Sequence, residues 1–240
     1  MKIIKAKDYE DMSRKAANII SAQVILKPDC VLGLATGSTP IGAHKQLAAW
    51  YEKGDVDFAE VSTYNLDEYR GLSHDDPQSY HYFMWENFFK HINIKKENIN
   101  MLDGMTKDYA GECRRYEEKI KACGGIRLFL GGVGSGGHIA FNEPGSSLSS
   151  RTRVKTLTTE TVQANSRFFD NDVNQVPRTA LTVGVGTICD ADEVMILATG
   201  ANKARALHHA IEGSINHMWT ISILQMHQHA VIVCDDEATK

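Results

Sequence analysis

Behind Asp8 the apolar residues Met12, Ala16, Ile19, Ile20 and Val24 recur at helical spacing, and Asp8 is placed to cap the helix that carries them. Such a stripe has to pack against other apolar surface. A short strand is expected before this helix. After it the period changes: Cys30-Val-Leu-Gly-Leu34 is a short apolar run between turn residues, as expected of a strand covered on both faces. The strand pattern returns at Val61 to Asn65, Ile126 to Leu130, Ala180 to Gly184, Val194 to Thr199 and Ala230 to Cys234. Helices are predicted over Ser79 to Phe89 and Ala201 to Ile211, and after Pro40, where Ile41, Leu47 and Tyr51 form an apolar face. Strands alternating with helices predict an α/β protein with an open, mostly parallel sheet and helices on both faces. Ligands of such sheets gather beyond the carboxyl ends of the strands.

Length and charge narrow the range of partners. A chain of 240 residues can bury a large core, and with no internal repeat or Pro-rich linker it is expected to form one domain spanning residues 1–240. The stretch from Leu157 to Pro177, rich in Thr, Asn and Asp, is the candidate for a mobile lid. The 26 basic and 30 acidic residues nearly balance and form no long block of one sign, which argues against nucleic-acid or membrane partners and for a small molecule. Five widely spaced cysteines without a CxxC pair read as free thiols in a reducing compartment. The early charges of MKIIKAKDYEDMSRK do not fit a secretory leader, so a cytoplasmic protein is expected.

Several polar motifs fall just after predicted strands. In Ala35-Thr-Gly-Ser-Thr-Pro40, Gly37 lets the backbone approach a ligand, and Thr39 is expected to cap the following helix with Pro40 in its first turn. Free N–H groups and the hydroxyls of Thr36, Ser38 and Thr39 would then converge where a helix dipole is positive, a favourable place for a phosphate. Taken alone, the motif also fits an ordinary strand-to-helix turn. Arg167 and Lys203 each follow a structural break and can clamp a phosphate, although either could be a solvated surface charge. In Asn65-Leu-Asp-Glu-Tyr69 two adjacent carboxylates cannot face the same way in an extended segment, so one should point into a cleft, and Asp67 is a candidate base. A turn with both carboxylates solvated is the plainer reading. The densest motif is Leu130-Gly-Gly-Val-Gly-Ser-Gly-Gly-His138, followed by Phe141-Asn-Glu-Pro144. His138 suits acid–base chemistry near neutral pH, with Glu143 available to orient it. A dinucleotide fingerprint is disfavoured because its glycines would open a helix, which Phe-Asn-Glu-Pro breaks.

ATGSTP, NLDEY, GHIAFNEP, SSLSSRTRVKTLT, ANSRFFDNDVNQVP, LTVGVGT and EGSINHMWT occur in order along nearly the whole chain. Together they resemble the glucosamine-6-phosphate deaminase family. The resemblance implies a Rossmann-like sheet, a lid over Leu157 to Pro177, and conversion of glucosamine 6-phosphate to fructose 6-phosphate and ammonia without metal or organic cofactor. It implies a phosphate site at Thr36, Gly37, Ser38, Thr39, Arg167 and Lys203. Asp67 would move the proton between C1 and C2, with His138 as the ring-opening acid–base and Glu143 as its carboxylate partner. The family usually carries an acidic residue, or in some members an amide, two positions before the histidine; here that position is Gly136. Reduced turnover is therefore expected. Some members are hexamers activated by N-acetylglucosamine 6-phosphate, and the positions resembling that effector site are Ser146, Ser147, Arg153 and Lys155, which as a basic surface strand need bind nothing. Two other readings stay open: a sugar-phosphate-binding protein with vestigial catalysis, and a 6-phosphogluconolactonase of the same fold.

Overall fold

A computed structural model describes all residues 1–240. β1 (Lys2–Ala6) leads into α1 (Tyr9–Leu26), whose cap is Asp8 as expected; its carboxylate accepts from the Asp11 amide at 2.8 Å. β2 (Val31–Leu34), α2 (Ile41–Glu52) and β3 (Ser62–Asn65) follow, then a three-residue strand, β4 (Asp67–Tyr69), and α3 (Tyr80–Asn87). Next come β5 (Ile99–Asn100), α4 (Tyr109–Ala122), β6 (Leu128–Gly132), β7 (Arg153–Thr156), α5 (Thr159–Asn165) and β8 (Thr179–Thr182). α6 (Val185–Cys189), β9 (Glu193–Ala198), α7 (Ala204–Ile211) and β10 (Ala230–Asp235) complete the fold.

Seven strands form a wholly parallel sheet in the order β1-β10-β9-β6-β2-β3-β5. Successive strand residues alternate between two cores. Leu32, Leu34, Leu128, Leu130, Leu197 and Val233 face the layer of α1, α2 and α3, whereas Phe129, Val194, Ile196, Ile232 and Cys234 face the layer of α4, α6 and α7. Both faces are therefore apolar, which is why these strands read as continuous apolar runs rather than alternating ones.

Two expectations need correction. The run Ala180 to Gly184 does not join the main sheet: β8 pairs antiparallel with β4 and β7 in a separate three-stranded sheet. An apolar run signals burial on both sides, and the small sheet, wedged against the main body, buries Ala180 and Leu181 just as fully. Thr39 does not cap α2. Pro40 occupies that position without a side-chain cap, and the Tyr9 hydroxyl ties the turn instead, accepting from Gly42 N–H at 2.9 Å and donating to the Ser38 carbonyl at 3.0 Å.

The small sheet seats the segment from Leu157 to Pro177. Leu157, Val162, Phe169 and Val176 are buried and share an apolar cluster with Tyr69 and Phe141. α5 and a 3-10 turn over Ser166–Phe168 thereby come to stand over the carboxyl ends of β2 and β6.

Candidate active site

At the carboxyl ends of β2, β3 and β6 lies a cavity of about 670 Å³. Thr36, Gly37, Ser38, Thr39, Asp67, Gly136, His138, Glu143, Arg167 and Lys203 all line it, although they come from distant parts of the chain.

One end is cationic. The turn after β2 bends at Gly37, whose φ of 84° belongs to the left-handed region that side chains resist. The turn presents Ser38 to Arg167, whose Nη2 lies 3.5 Å from the Ser38 Oγ. Lys203, at the last residue of a 3-10 turn and next to α7, is partly buried. Burial first, and Arg167 nearby second, lower its hold on a proton. Two cations brought together without a carboxylate between them leave a positive hollow, and a dianionic group would relieve both the burial cost and their repulsion.

The other end holds proton-transfer groups. After β3 the chain leaves the main sheet: Asn65 Nδ2 donates to the Leu34 carbonyl at 3.0 Å, and Val183 N–H bonds Leu66 O at 2.8 Å as the small sheet begins. β4 then turns Asp67 into the cavity and Glu68 away from it. Asp67 is 5% exposed, its only polar side-chain neighbour at bonding range being the Thr36 Oγ1 at 3.5 Å. Burial chiefly, and Glu68 next to it, push its carboxyl up to about 8, against a weak opposing effect of Thr36.

His138 sits on the glycine loop after β6, which is fastened by side chains far along the chain. Thr220 Oγ1 accepts from Ile139 N–H at 3.3 Å and donates to Asn142 O at 3.1 Å, while Thr182 Oγ1 accepts from Phe141 N–H at 3.2 Å. Gly137, at φ 72°, lies under Trp219: a Cβ there would fall 2.2 Å from the indole, so the close approach requires glycine. The His138 Nδ1 and the Glu143 Oε2 stand 3.4 Å apart, and neither has a hydrogen-bond partner. Burial lowers the imidazole's proton affinity, Glu143 raises it and Lys203 lowers it further, so the free ring is neutral at neutral pH. Glu143 Oε1 accepts from Thr158 N–H at 3.2 Å, which links the carboxylate to the cap of α5.

Gly136 leaves a gap in this arrangement. A Cβ built there would meet only the His138 Nδ1 at 3.8 Å and the Pro144 Cγ at 3.9 Å, both ordinary contacts. The position is thus open to a side chain on the flank of the unpartnered nitrogen.

Ser146, Ser147, Arg153 and Lys155 lie outside the cavity. The Ser146 Oγ is buried without a partner, and the exposed Ser147 has its Oγ 3.0 Å from that of Ser149. Arg153 donates to Asn142 Oδ1 at 2.9 Å. Lys155, two residues on along β7, faces the same side, and burial and Arg153 weaken its hold on a proton. Residues that the motif reading did not single out also line the cavity: Tyr80 from α3, Thr158 and Trp219. Trp219 lay in EGSINHMWT and Thr158 at the end of SSLSSRTRVKTLT, but neither was given a role. No cluster of three or more His, Cys, Asp or Glu side chains is placed to hold a metal, and no helix is long and apolar enough to cross a membrane.

A parallel α/β sheet whose strand ends carry a cationic hollow opposite a buried carboxyl and a neutral imidazole defines a class of protein suited to a small anionic molecule beside acid–base groups. Comparison with known proteins makes the class specific. Residues 6–233 match the family of glucosamine-6-phosphate isomerases/6-phosphogluconolactonase, and the chain belongs to it. It is 59% identical to the glucosamine-6-phosphate deaminase of Bacteroides thetaiotaomicron, covering 100% of this chain and 91% of that protein. It is 62% identical to the one from Pasteurella multocida over 88% of this chain and 79% of the relative. A solved structure described as a monomeric glucosamine-6-phosphate deaminase superposes with a TM-score of 0.97 at 42% identity, covering 99% of this chain and 98% of that one. The 6-phosphogluconolactonase of Leishmania guyanensis, at 21% identity and TM-score 0.75 over 100% and 97% of the two chains, shares the fold.

Proposed function

We propose that this protein is an enzyme that converts glucosamine 6-phosphate and water to fructose 6-phosphate and ammonia. The observation that carries the reading is one cavity with Asp67 and His138 at one end and an uncompensated cationic hollow at the other. The deaminases at 56% to 62% identity support the substrate, whereas lactonases near 20% share only the fold.

In this reading the phosphoryl group lies among Thr36, Gly37, Ser38 and Thr39, held by Arg167 and Lys203. Neutral His138 takes the proton from the anomeric hydroxyl and hands it to the ring oxygen as the C1–O5 bond breaks. Glu143 orients the imidazole and balances its transient charge. Ionised Asp67 removes the proton from C2 and delivers it to C1. The electron pair released at C2 thereby reduces C1 to an alcohol, O1 taking the proton that the amino nitrogen gives up, and leaves a C2 imine, so no outside oxidant is needed. Water adds to C2, the C2–N bond breaks, and ammonia leaves behind the ketone. The segment from Leu157 to Pro177 acts as the lid, bringing Arg167 onto the phosphate and Thr158 onto Glu143.

The gap at Gly136 favours a second reading, binding with little turnover. One assay separates the two: incubate with glucosamine 6-phosphate and follow ammonia and fructose 6-phosphate together. Equal amounts of both are expected. Neither product forming, while the sugar phosphate still raises the melting temperature, would leave only a binder.

Arg153 and Lys155 on one side of β7 suit a second phosphate clamp, for which N-acetylglucosamine 6-phosphate is the effector and a homo-hexamer the assembly. The solution mass with and without that sugar decides it, and a monomer under both conditions would remove the assembly. Five free thiols fit a reducing compartment, the cytoplasm.

A further inference from the structure

Glu68, next to Asp67, has no exposed surface, yet it is saturated with donors. Its Oε1 accepts from the Tyr69 N–H at 2.7 Å and the Tyr80 N–H at 3.0 Å. Its Oε2 accepts from the His81 N–H at 3.0 Å and faces the His81 Nδ1 at 2.8 Å. Tyr80 and His81 begin α3, and Ser79 Oγ takes the next amide, that of Tyr82, at 3.1 Å. The first turn of α3 is thus closed by a carboxylate from another element, held where the helix dipole favours an anion. Tyr80, placed by this turn, lines the cavity, and its ring rests on Tyr69 at 4.9 Å between centroids.

We propose that Glu68 is a positioning residue: by gripping the first turn of α3 it turns its neighbour Asp67 into the cavity and fixes Tyr80 across from it. The inference rests on the reading of Asp67 as the base. Because successive strand residues face opposite ways, anchoring Glu68 fixes the direction of Asp67. The buried negative charge also adds to burial in holding the Asp67 proton. The groups around Asp67 are Thr36, Tyr80, Tyr69 and Glu68; those around Glu68 are Tyr69, Tyr80 and His81, with His74 stacked on His81 at 3.6 Å and Asp103 at 3.7 Å from His74.

The test compares the pH dependence of kcat and the carboxyl-carbon NMR titration of Asp67 in the full chain, for wild type, Glu68→Gln, Glu68→Asp and His81→Asn. Glu68→Gln removes the charge and sets an amide against two N–H groups. Half-ionisation of Asp67 and the acid limb of kcat should move to lower pH by about one unit, and kcat should fall roughly tenfold or more with KM little changed. Glu68→Asp keeps the charge but is too short to reach α3, so kcat falls while the limb stays in place. His81→Asn offers an N–H where the Nδ1 stood and should retain most of kcat. An unmoved Asp67 titration in Glu68→Gln overturns the proposal. Should that variant not fold, wild-type kcat in Glu68→Asp does so instead. A wild type that makes no product refutes the base reading, and the titration then decides the positioning role by itself.

Discussion

The cationic end of the cavity and its proton-transfer end are assembled from the chain in different ways. Thr36, Gly37, Ser38 and Thr39 are contiguous, and the turn is tied by Tyr9 from the neighbouring helix. Asp67 comes from one segment and His138 and Glu143 from another, a single loop held by Thr182 and Thr220. An anion needs N–H groups converging from one side, which a single turn after a strand supplies, and Arg167 and Lys203 need only add their charge to it from elsewhere. Moving a proton needs two groups facing one substrate from opposite sides with shifted affinities, which only distant segments folded together can give. Damage to the cationic end should therefore appear in KM, and damage to the other end in kcat.

The largest separation is expected from Asp67→Asn. Turnover should fall by about a hundred- to ten-thousandfold while KM changes little, as steady-state kinetics will show; a rise in KM with kcat intact would reverse the comparison. Stability should move the other way. Asp67 is pushed up from 3.8 to about 8, so between those values the folded chain keeps a proton that the unfolded chain releases. Stability therefore drops as pH rises through that window, and the variant should lose this decline in urea titrations run across it. In the wild type kcat should rise with pH towards 8, since only ionised Asp67 can accept a proton.

Lys203→Met should raise KM by roughly ten- to a hundredfold, the range for one charge-assisted hydrogen bond to an anion. kcat should stay within a few-fold. A fall confined to kcat would mean that Lys203 acts at the reacting end, where its charge already reaches His138.

Gly136→Asp sharpens the comparison from the other side by adding to the proton-transfer end. A Cβ fits there, and a carboxylate beside the bare His138 Nδ1 would raise the ring's proton affinity and hold its orientation. Turnover should increase about tenfold with KM unchanged. No change in kcat would mean that Glu143 alone suffices.

How much could be read in advance follows the same division. The strands of the main sheet apart from the two-residue edge strand β5 were legible because both faces are buried, and α1 because its stripe and the Asp8 cap agree. The cationic end was legible as one motif plus two basic residues at breaks. The small sheet was not. β4 is three polar or aromatic residues held by β8 across the chain, and nothing local in Ala180 to Gly184 sets the direction of its pairing. α4 carries only Cys113, Tyr116 and Ile120 as a buried apolar stripe amid charges, too thin a signal to stand out. The adjacent carboxylates announced that one would face inward, but the four donors around Glu68 come chiefly from a helix twelve or more residues away, and spacing cannot show that.

The smallest effect should come from a residue that touches no ligand. Asp235 ends β10, and its carboxylate accepts from Gly200 N–H at 3.1 Å, from Ala238 N–H at 2.9 Å and from the Thr199 hydroxyl. Burial opposes its ionisation, yet these donors together hold the carboxyl below its usual range. They also pin the start of the 3-10 turn that carries Lys203, so the cationic end, for all its local character, depends on one long-range clamp. In Asp235→Asn an amide group must face one of those N–H donors, and the turn loosens. KM should rise a few-fold, by less than in Lys203→Met, with kcat within about twofold. Combined with Lys203→Met, the second substitution should add nothing further to KM, because its effect runs through the lysine; additive losses in the double-mutant cycle would show that Asp235 serves some other part of the site.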